Sequence, residues 1–494
     1  MKTLKKCYKY IMLIAILGMV ISCENDYEKD VSTLVNGQNG NSTADFTRYV
    51  ALGNGLTAGV TDGTIFKSSQ ENSYPAMLAK RFKEAQPNME PFNIPYVKDE
   101  VGGLKKNGKQ IRDKRMRFIL LDTLFTYDKG ETLTEITAGI GSLAHYGNLG
   151  VPEVKAFDLL SSGYGNVQNY ATGEVSPYYS YFASSPTATI LNDAMAQNPT
   201  FFTLWLGDDV LSYAKNGGDS NYPITDMSSF ETYINTIVST LSANAKGVIA
   251  NIPDIATIPY FTTVPYNPIP LNDSLAKMVN KQYETYHMLF TLDPLNWITS
   301  KEEKEFRQIS FHAGKDNAIV VEDRELTNLL LPSLTTGSEK SNYMRQAKPS
   351  DLILLPARDL LGTLEKPSDP NSVIGVGIPL GAEYVLTKKE IEEVTSAISN
   401  YNVALTRLVN ANDNIFLVDM NKKWRELSET KLIYNNIPYS GEYVMGNFFS
   451  LDGISPTMKG YAIVANEFIE TINKNFGTQL LKYDPNDYPG IGLD

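Results

Sequence analysis

The chain is poor in the residues that most often carry chemistry. Its only two cysteines, Cys7 and Cys23, fall in the first two dozen of 494 residues. The body therefore has no disulfide, no thiolate nucleophile and no cysteine metal site. Three histidines (His145, His287 and His312) are far apart, which argues against a multi-histidine zinc centre. Positive charge is also scarce. The formal net charge is −12, and the balance is more acidic once the four lysines of the first 22 residues are set aside. A nucleic-acid binder needs a basic footprint, so that class is excluded. What remains is ordinary for a folded protein, with 42% hydrophobic and 20% charged residues. The length allows up to about three domains.

Lys2, Lys5, Lys6 and Lys9 precede the apolar run Ile11–Ile21, the charged and hydrophobic regions of a secretory signal. The run is too short to span a bilayer as a helix. Val20-Ile21-Ser22-Cys23 resembles a bacterial lipobox, which implies cleavage before Cys23 and lipid attachment to its sulfur. Residues 1–22 then form the leader and 23–45 an acidic and polar tether. The tether's Asn36–Ala44 stretch is too rich in Gly, Asn, Ser and Thr to bury a core. The acidic run Glu24–Asp30 resembles the surface-export signal of Bacteroidota lipoproteins; its alternative is a solvated linker. The expected location is the outer membrane, facing either the periplasm or the exterior.

From about residue 46, strand-like runs alternate with helical stripes. Tyr49–Gly53, Phe201–Gly207, Gly247–Pro253 and Ile415–Asp419 read as buried strands. Phe230, Ile234, Ile237, Val238 and Leu241 repeat at helical spacing, as do Ile391 through Leu408 and Tyr461 through Ile472. Thr387-Lys388-Lys389-Glu390 predicts a capping box at a helix start. Alternation of this kind predicts an α/β domain with a parallel sheet covered on both faces, and ligands at the carboxyl ends of the strands.

Segments of about 92–141 and 259–381 read as insertions, and 481–494 as a tail. The first insertion holds the hairpin signal Asn107-Gly108 among Lys105, Lys106, Lys109, Arg112, Lys114, Arg115 and Arg117. That ribbon suits an anionic partner such as lipopolysaccharide or a carboxylated glycan, or is a solvated exposed hairpin.

Four blocks in order carry a family resemblance. They are Tyr49–Gly59 with Gln70–Pro75 following, Asn148–Glu153, Phe202–Asp209, and Leu451–Thr457 leading to Lys459-Gly460-Tyr461. Together they resemble the GDSL/SGNH hydrolases, in particular lipoprotein members of Bacteroidota type. The resemblance implies an SGNH-like (flavodoxin-like) three-layer α/β/α sandwich over residues 46–480. In that family a serine of the first block is the nucleophile. A glycine N–H of the second and an asparagine of the third form the oxyanion hole, and Asp-x-x-His of the last block supplies the base and its orienting carboxylate. Carried over by position, the serine becomes Gly55, the glycine Glu153, the asparagine (allowing a one-residue deletion) Asp208, and the histidine Ser455. Only Asp452 is retained.

Gly55 cannot attack a carbonyl and Ser455 cannot act as a base near neutral pH. Losing the nucleophile or the base of a triad costs about six orders of magnitude in turnover. A carboxylate at Glu153 or Asp208 would oppose an oxyanion by about 4 kcal/mol at ~4 Å and an effective dielectric near 20. The expectation is therefore a pseudoenzyme with vestigial positions Gly55, Glu153, Asp208 and Ser455. The alternative is an active ester hydrolase with relocated residues, for which Ser68, Ser69, Ser73 and His145 are the nearest candidates. As backbone features, Gly55 is expected at a turn of positive φ and Ser455-Pro456 at a helix N-cap and first turn.

Asn54, Gly55, Glu153, Asp208, Asp209 and Asp452 make up the expected ligand cleft. Its carboxylates either converge, to bind Ca²⁺ or a hydroxyl-rich sugar or to cleave a glycoside, or simply cap helices and loops. The expected role is a binding or accessory protein for an acyl or glycan ligand, or a subunit docked on an outer-membrane protein. No cofactor and no dedicated metal site are implied.

Overall fold

A computed structural model describes residues 43–119, 124–136, 145–172, 175–291, 299–329 and 339–491. The leader, Cys23, most of the tether and the ends of both loops within the insertions lie outside the described residues. Five parallel strands form the central sheet: β1 (Tyr49–Gly53), β2 (Asn148–Gly150), β3 (Phe201–Trp205), β4 (Lys246–Ala250) and β5 (Ile415–Val418). Their spatial order is β5-β4-β3-β1-β2. β1 lies beside β3 in the register Tyr49↔Phe201 to Gly53↔Trp205, and beside β2 with Gly53↔Gly150. Strands of this kind, buried on both faces, need apolar residues at every position, and β1 and β3 have hardly any others. β2 was not expected as a strand. With three residues at a sheet edge it has no periodicity to read.

Helices cover both faces. On one, Trp205 meets Tyr74 of α2 (Tyr74–Ala85), Trp424 of α7 (Met420–Glu429) and Phe468 of α8 (Met458–Phe476), with ring centroids 5.6–6.1 Å apart. Phe416 of β5 meets Phe476 of α8 on the same side. Phe202 and Leu204 point the other way and are equally buried. On that side α4 (Met227–Ser242) and α6 (Lys388–Asn410) pack together through the stacked rings of Phe230 and Tyr401, 3.9 Å apart. The capping box is present: Thr387 accepts from the Glu390 N–H, and the Glu390 carboxylate accepts from the Thr387 N–H at 2.7 Å.

The two insertions differ in kind. In the first, Leu104–Lys106 and Lys109–Arg112 pair as a hairpin whose turn residues Asn107 and Gly108 have φ of 52° and 76°, the conformation Asn-Gly favours. The second builds a core of its own. Tyr283 and Tyr286 of α5 (Asp273–Thr291) pack with Phe311, Ile319, Val320, Val321, Ile353 and Leu380. At its edge the buried Arg345 pairs with both Asp323 and Asp351. No helix among the described residues is long and apolar enough to cross a membrane.

Candidate functional site

From β1 the chain passes to β2 on one side, then returns across β1 to β3 on the other. The carboxyl ends of β1 and β3 are therefore the point where strand order reverses, the place open α/β sheets offer to ligands. Asn54 follows β1 there and caps the short helix α1 (Gly55–Ala58) by accepting the Leu56 N–H. Its Nδ2 donates to Asp208 Oδ2 at 2.7 Å. Asp208 opens α3 (Asp208–Lys215) at the end of β3 and is 4% exposed. Burial pushes its carboxyl up to about 6, against the pull of Lys215 and the Asn54 amide; the charges of Glu153 and Asp209 add to the rise.

Gly55 lies against the second block, where a Cβ built on it would stand 3.9 Å from Pro152 Cα and 3.0 Å from Val60 Cγ2. Its φ is not in the left-handed region, so the expected reason for a glycine there is wrong. The glycine the turn requires is Gly53, with φ +153° and a phantom Cβ 2.2 Å from the Trp205 carbonyl oxygen.

Glu153 carries the left-handed conformation instead, at φ +68°. Its half-exposed carboxylate is held from two directions: Oε2 by Arg112 Nη2 at 3.2 Å, Oε1 by Lys215 Nζ at 3.4 Å. Lys215 above all, with Arg112, holds the Glu153 carboxyl below the usual range, against the partial desolvation of the cleft. Arg112 comes from the inserted hairpin, with its guanidinium carbon 6.0 Å from the Tyr178 ring centre. Burial and the Glu153 charge push the Tyr178 phenol up to about 12. Burial, with the charges of Asp158, Glu153 and Asp208, raises the Tyr164 phenol further.

The four-carboxylate convergence does not occur. Asp209 turns inward and is fully buried, accepting from the Ala156 N–H at 3.0 Å and from Thr225 Oγ1 at 2.8 Å. Adjacent residues in a helix's first turn point about 100° apart, which is how Asp208 and Asp209 part. Asp452 organises its own loop, accepting from Ser450 Oγ and from the N–H groups of Ile454, Ser455 and Gly63. Among the described residues, no group of three or more His, Cys, Asp or Glu could hold a metal ion. Ser455 is buried in that loop but does not cap a helix. α8 starts at Met458, and its N-cap is Thr457, which accepts from the Gly460 N–H at 3.1 Å.

The relocated-triad candidates are dispersed. Ser69 and Ser73 donate to carbonyls three residues back, and Ser68 donates to Glu100. His145 precedes β2, at the amino end of the sheet and opposite the site. His287 accepts from the Ile309 N–H and His312 faces Asp316, both within the second insertion. The basic ribbon is partly engaged. Lys106 donates to the Val167 carbonyl and Arg115 pairs with buried Asp62 of the body at 3.0 Å, while Arg117 grips Asp128 within the insertion.

Sequence reading did not connect Arg112, Lys215, Tyr164 or Tyr178 to this site. For Lys215 a signal existed: it lies two helical turns after Asp208, on the same face of α3. Arg112 gave none, since its partner is 41 residues away. No protein-family model, curated protein or solved structure matches the chain.

Proposed function

We propose that this chain is a cell-envelope lipoprotein whose degenerate SGNH hydrolase-like domain binds a glycan without cleaving it. The strand order, which in chain numbering runs 2-1-3-4-5, supports a flavodoxin-like α/β/α sandwich, the arrangement the sequence resemblance implies. The observation that carries the reading is the bond from Asn54 Nδ2 to Asp208 Oδ2 beside Gly55. Where the family would present a nucleophile and oxyanion donors, this chain presents a residue with no side-chain oxygen and a carboxylate already bonded to its neighbour. An oxyanion at Gly55 meets the Asp208 carboxylate, while the nearby cations Arg112 and Lys215 are already paired with Glu153. The same groups suit hydroxyls. A carboxylate, an amide and an ammonium at the strand ends, with the partly exposed Tyr164 beside them, supply the mixed polar and aromatic chemistry that sugars use.

The proposed placement is the outer membrane, anchored through a lipid on Cys23. The reading is tested by treating the full-length lipoprotein with a serine-directed fluorophosphonate and a p-nitrophenyl ester panel, alongside a glycan array. Absence of labelling and turnover with retention on glycans is expected; covalent labelling of any serine overturns it in favour of an active hydrolase. Cys23→Ala should move the protein out of the membrane fraction.

A further inference from the structure

The pairing of Glu153 has a feature that a structural salt bridge does not need. Each carboxylate oxygen meets one cation, Oε2 with Arg112 and Oε1 with Lys215, and the two cations come from different elements. The carboxylate projects from a backbone in a region that non-glycine residues rarely occupy. It is half-exposed (51%), while its partners are 34% and 27% exposed, so solvent reaches the acid more readily than the bases. The Arg112 Nε is buried without an acceptor, so the guanidinium has donor capacity that Glu153 does not use. The hairpin bearing Arg112 is anchored elsewhere by Lys106, which donates to the Val167 carbonyl and lies over the Tyr170 ring. Arg112 can therefore change partner while the hairpin keeps its place.

We infer that Arg112 and Lys215 form the carboxylate-reading subsite of this cleft, and that Glu153 occupies it as an internal stand-in until a uronic-acid residue of the glycan displaces it. The inference rests on the glycan-binding reading and names the ligand class within it. A carboxylate bringing one oxygen to each cation replaces the Glu153 contacts like for like. Glu153 then swings into solvent. The exchange is selective because a neutral sugar displaces Glu153 only at a cost: it would leave the partly buried Arg112 without counter-charge and Lys215 with Asp208 alone. No covalent step is involved.

The test is calorimetric titration of the full chain with methyl glucuronide, methyl glucoside and acetate. Glucuronide should bind at least about tenfold tighter than glucoside or acetate, the scale of one charge-assisted bond. Lys215→Met and Arg112→Gln should each bring glucuronide down to the glucoside level, and exposed Lys109→Met should leave it unchanged. Glu153→Gln should tighten glucuronide by about tenfold, and Glu153→Gly, which also relieves the backbone, should do the same. Circular dichroism confirms folding of each variant. Equal affinity for glucuronide and glucoside overturns the inference while leaving glycan binding intact. Acetate matching glucuronide overturns it, and so does failure of both Glu153 variants to tighten binding. Serine labelling by the fluorophosphonate would sink the non-hydrolytic reading by a separate route.

Discussion

Asn54 Nδ2 lies 2.7 Å from Asp208 Oδ2, joining the ends of two neighbouring strands across 154 residues of sequence. The bond spans the point where strand order reverses, at the floor of the crevice in which a parallel sheet usually works. Both partners are buried, and the amide is the group that keeps an acid tolerable there. Burial still prevails, which makes Asp208 a measurable reporter of this site.

The carboxyl of Asp208, raised to about 6 in the fold, stands near 3.8 when unfolded. A raised carboxyl binds its proton more tightly in the folded state, so its contribution is fully present below pH ~4 and is lost as pH rises through ~6. At roughly 1.4 kcal/mol per pH unit the loss is at most about 3 kcal/mol. Asp208→Asn keeps an oxygen for Asn54 and removes the ionisation. Urea unfolding at pH 8 should find the variant about 1–3 kcal/mol more stable than the parent, and little different at pH 4. Asp158 and Glu390, raised by burial to about 6 and about 7, titrate in the same range, so the comparison must be with the parent at each pH. Equal stability at pH 8 would mean that the acid is solvated.

Arg115 and Asp62 form an enclosed ion pair, with side chains 11% and 4% exposed. Asp62 also accepts the Leu451 N–H, and its own N–H donates to Ser450, so the pair ties the inserted ribbon to the loop of the last block. Removing one partner leaves the other charge buried. Arg115→Met should cost about 3–5 kcal/mol. Adding Asp62→Asn should recover more than half, since asparagine tolerates the left-handed φ of 50° found there. Chemical denaturation of both variants checks this; a double variant as unstable as the single one would refute the account.

The fold was legible because its main strands are short apolar runs and its long helices carry clean stripes. Thr387 and Glu390 even announced a cap. The site was legible only where contacts are local. Ser455-Pro456 and Thr457-Met458 offer two helix starts two residues apart, and only the packing of α8 chooses the second. Gly53 and Gly55 flank Asn54, and sequence does not say which one faces the Trp205 carbonyl. Asp208 and Asp209 are adjacent carboxylates with opposite fates, decided by the rotation of one helical step. The partners of Glu153 arrive from an insertion and from the far end of a helix, distances that no spacing rule covers.

The two glycines around Asn54 should respond in opposite ways. Gly53→Ala places a methyl 2.2 Å from the Trp205 carbonyl oxygen in a conformation L-residues avoid, so a loss of at least about 2 kcal/mol is expected. At Gly55 the nearest atom to a new Cβ is Val60 Cγ2 at 3.0 Å, a side chain that need yield only slightly. Gly55→Ala should therefore change stability by less than about 1 kcal/mol. Denaturation midpoints of the two variants decide the point, and similar losses at both would contradict the turn geometry described here.

Tolerance at Gly55 allows a direct trial of the proposed non-hydrolytic reading. Gly55→Ser with Ser455→His places by position the two triad residues that the resemblance to SGNH hydrolases implies, beside Asp452. Hydrolysis of p-nitrophenyl acetate should nevertheless stay within about tenfold of the parent. The Asp452 carboxylate is already committed to three backbone N–H groups and the Ser450 hydroxyl, which leaves it poorly placed to orient an imidazole. Glu153 and Asp208 put negative charge where the oxyanion would form. Adding Glu153→Gly and Asp208→Asn removes both charges and supplies one new side-chain donor, since residue 153 keeps the backbone N–H it already has, and one oxyanion-hole donor is worth about 10²–10³ in turnover. The fourfold variant should therefore exceed the double variant by at least about a hundredfold. If the double variant alone gained that much, the carboxylates would not be what silences this site, and the case for a binding role would lose its chemical basis.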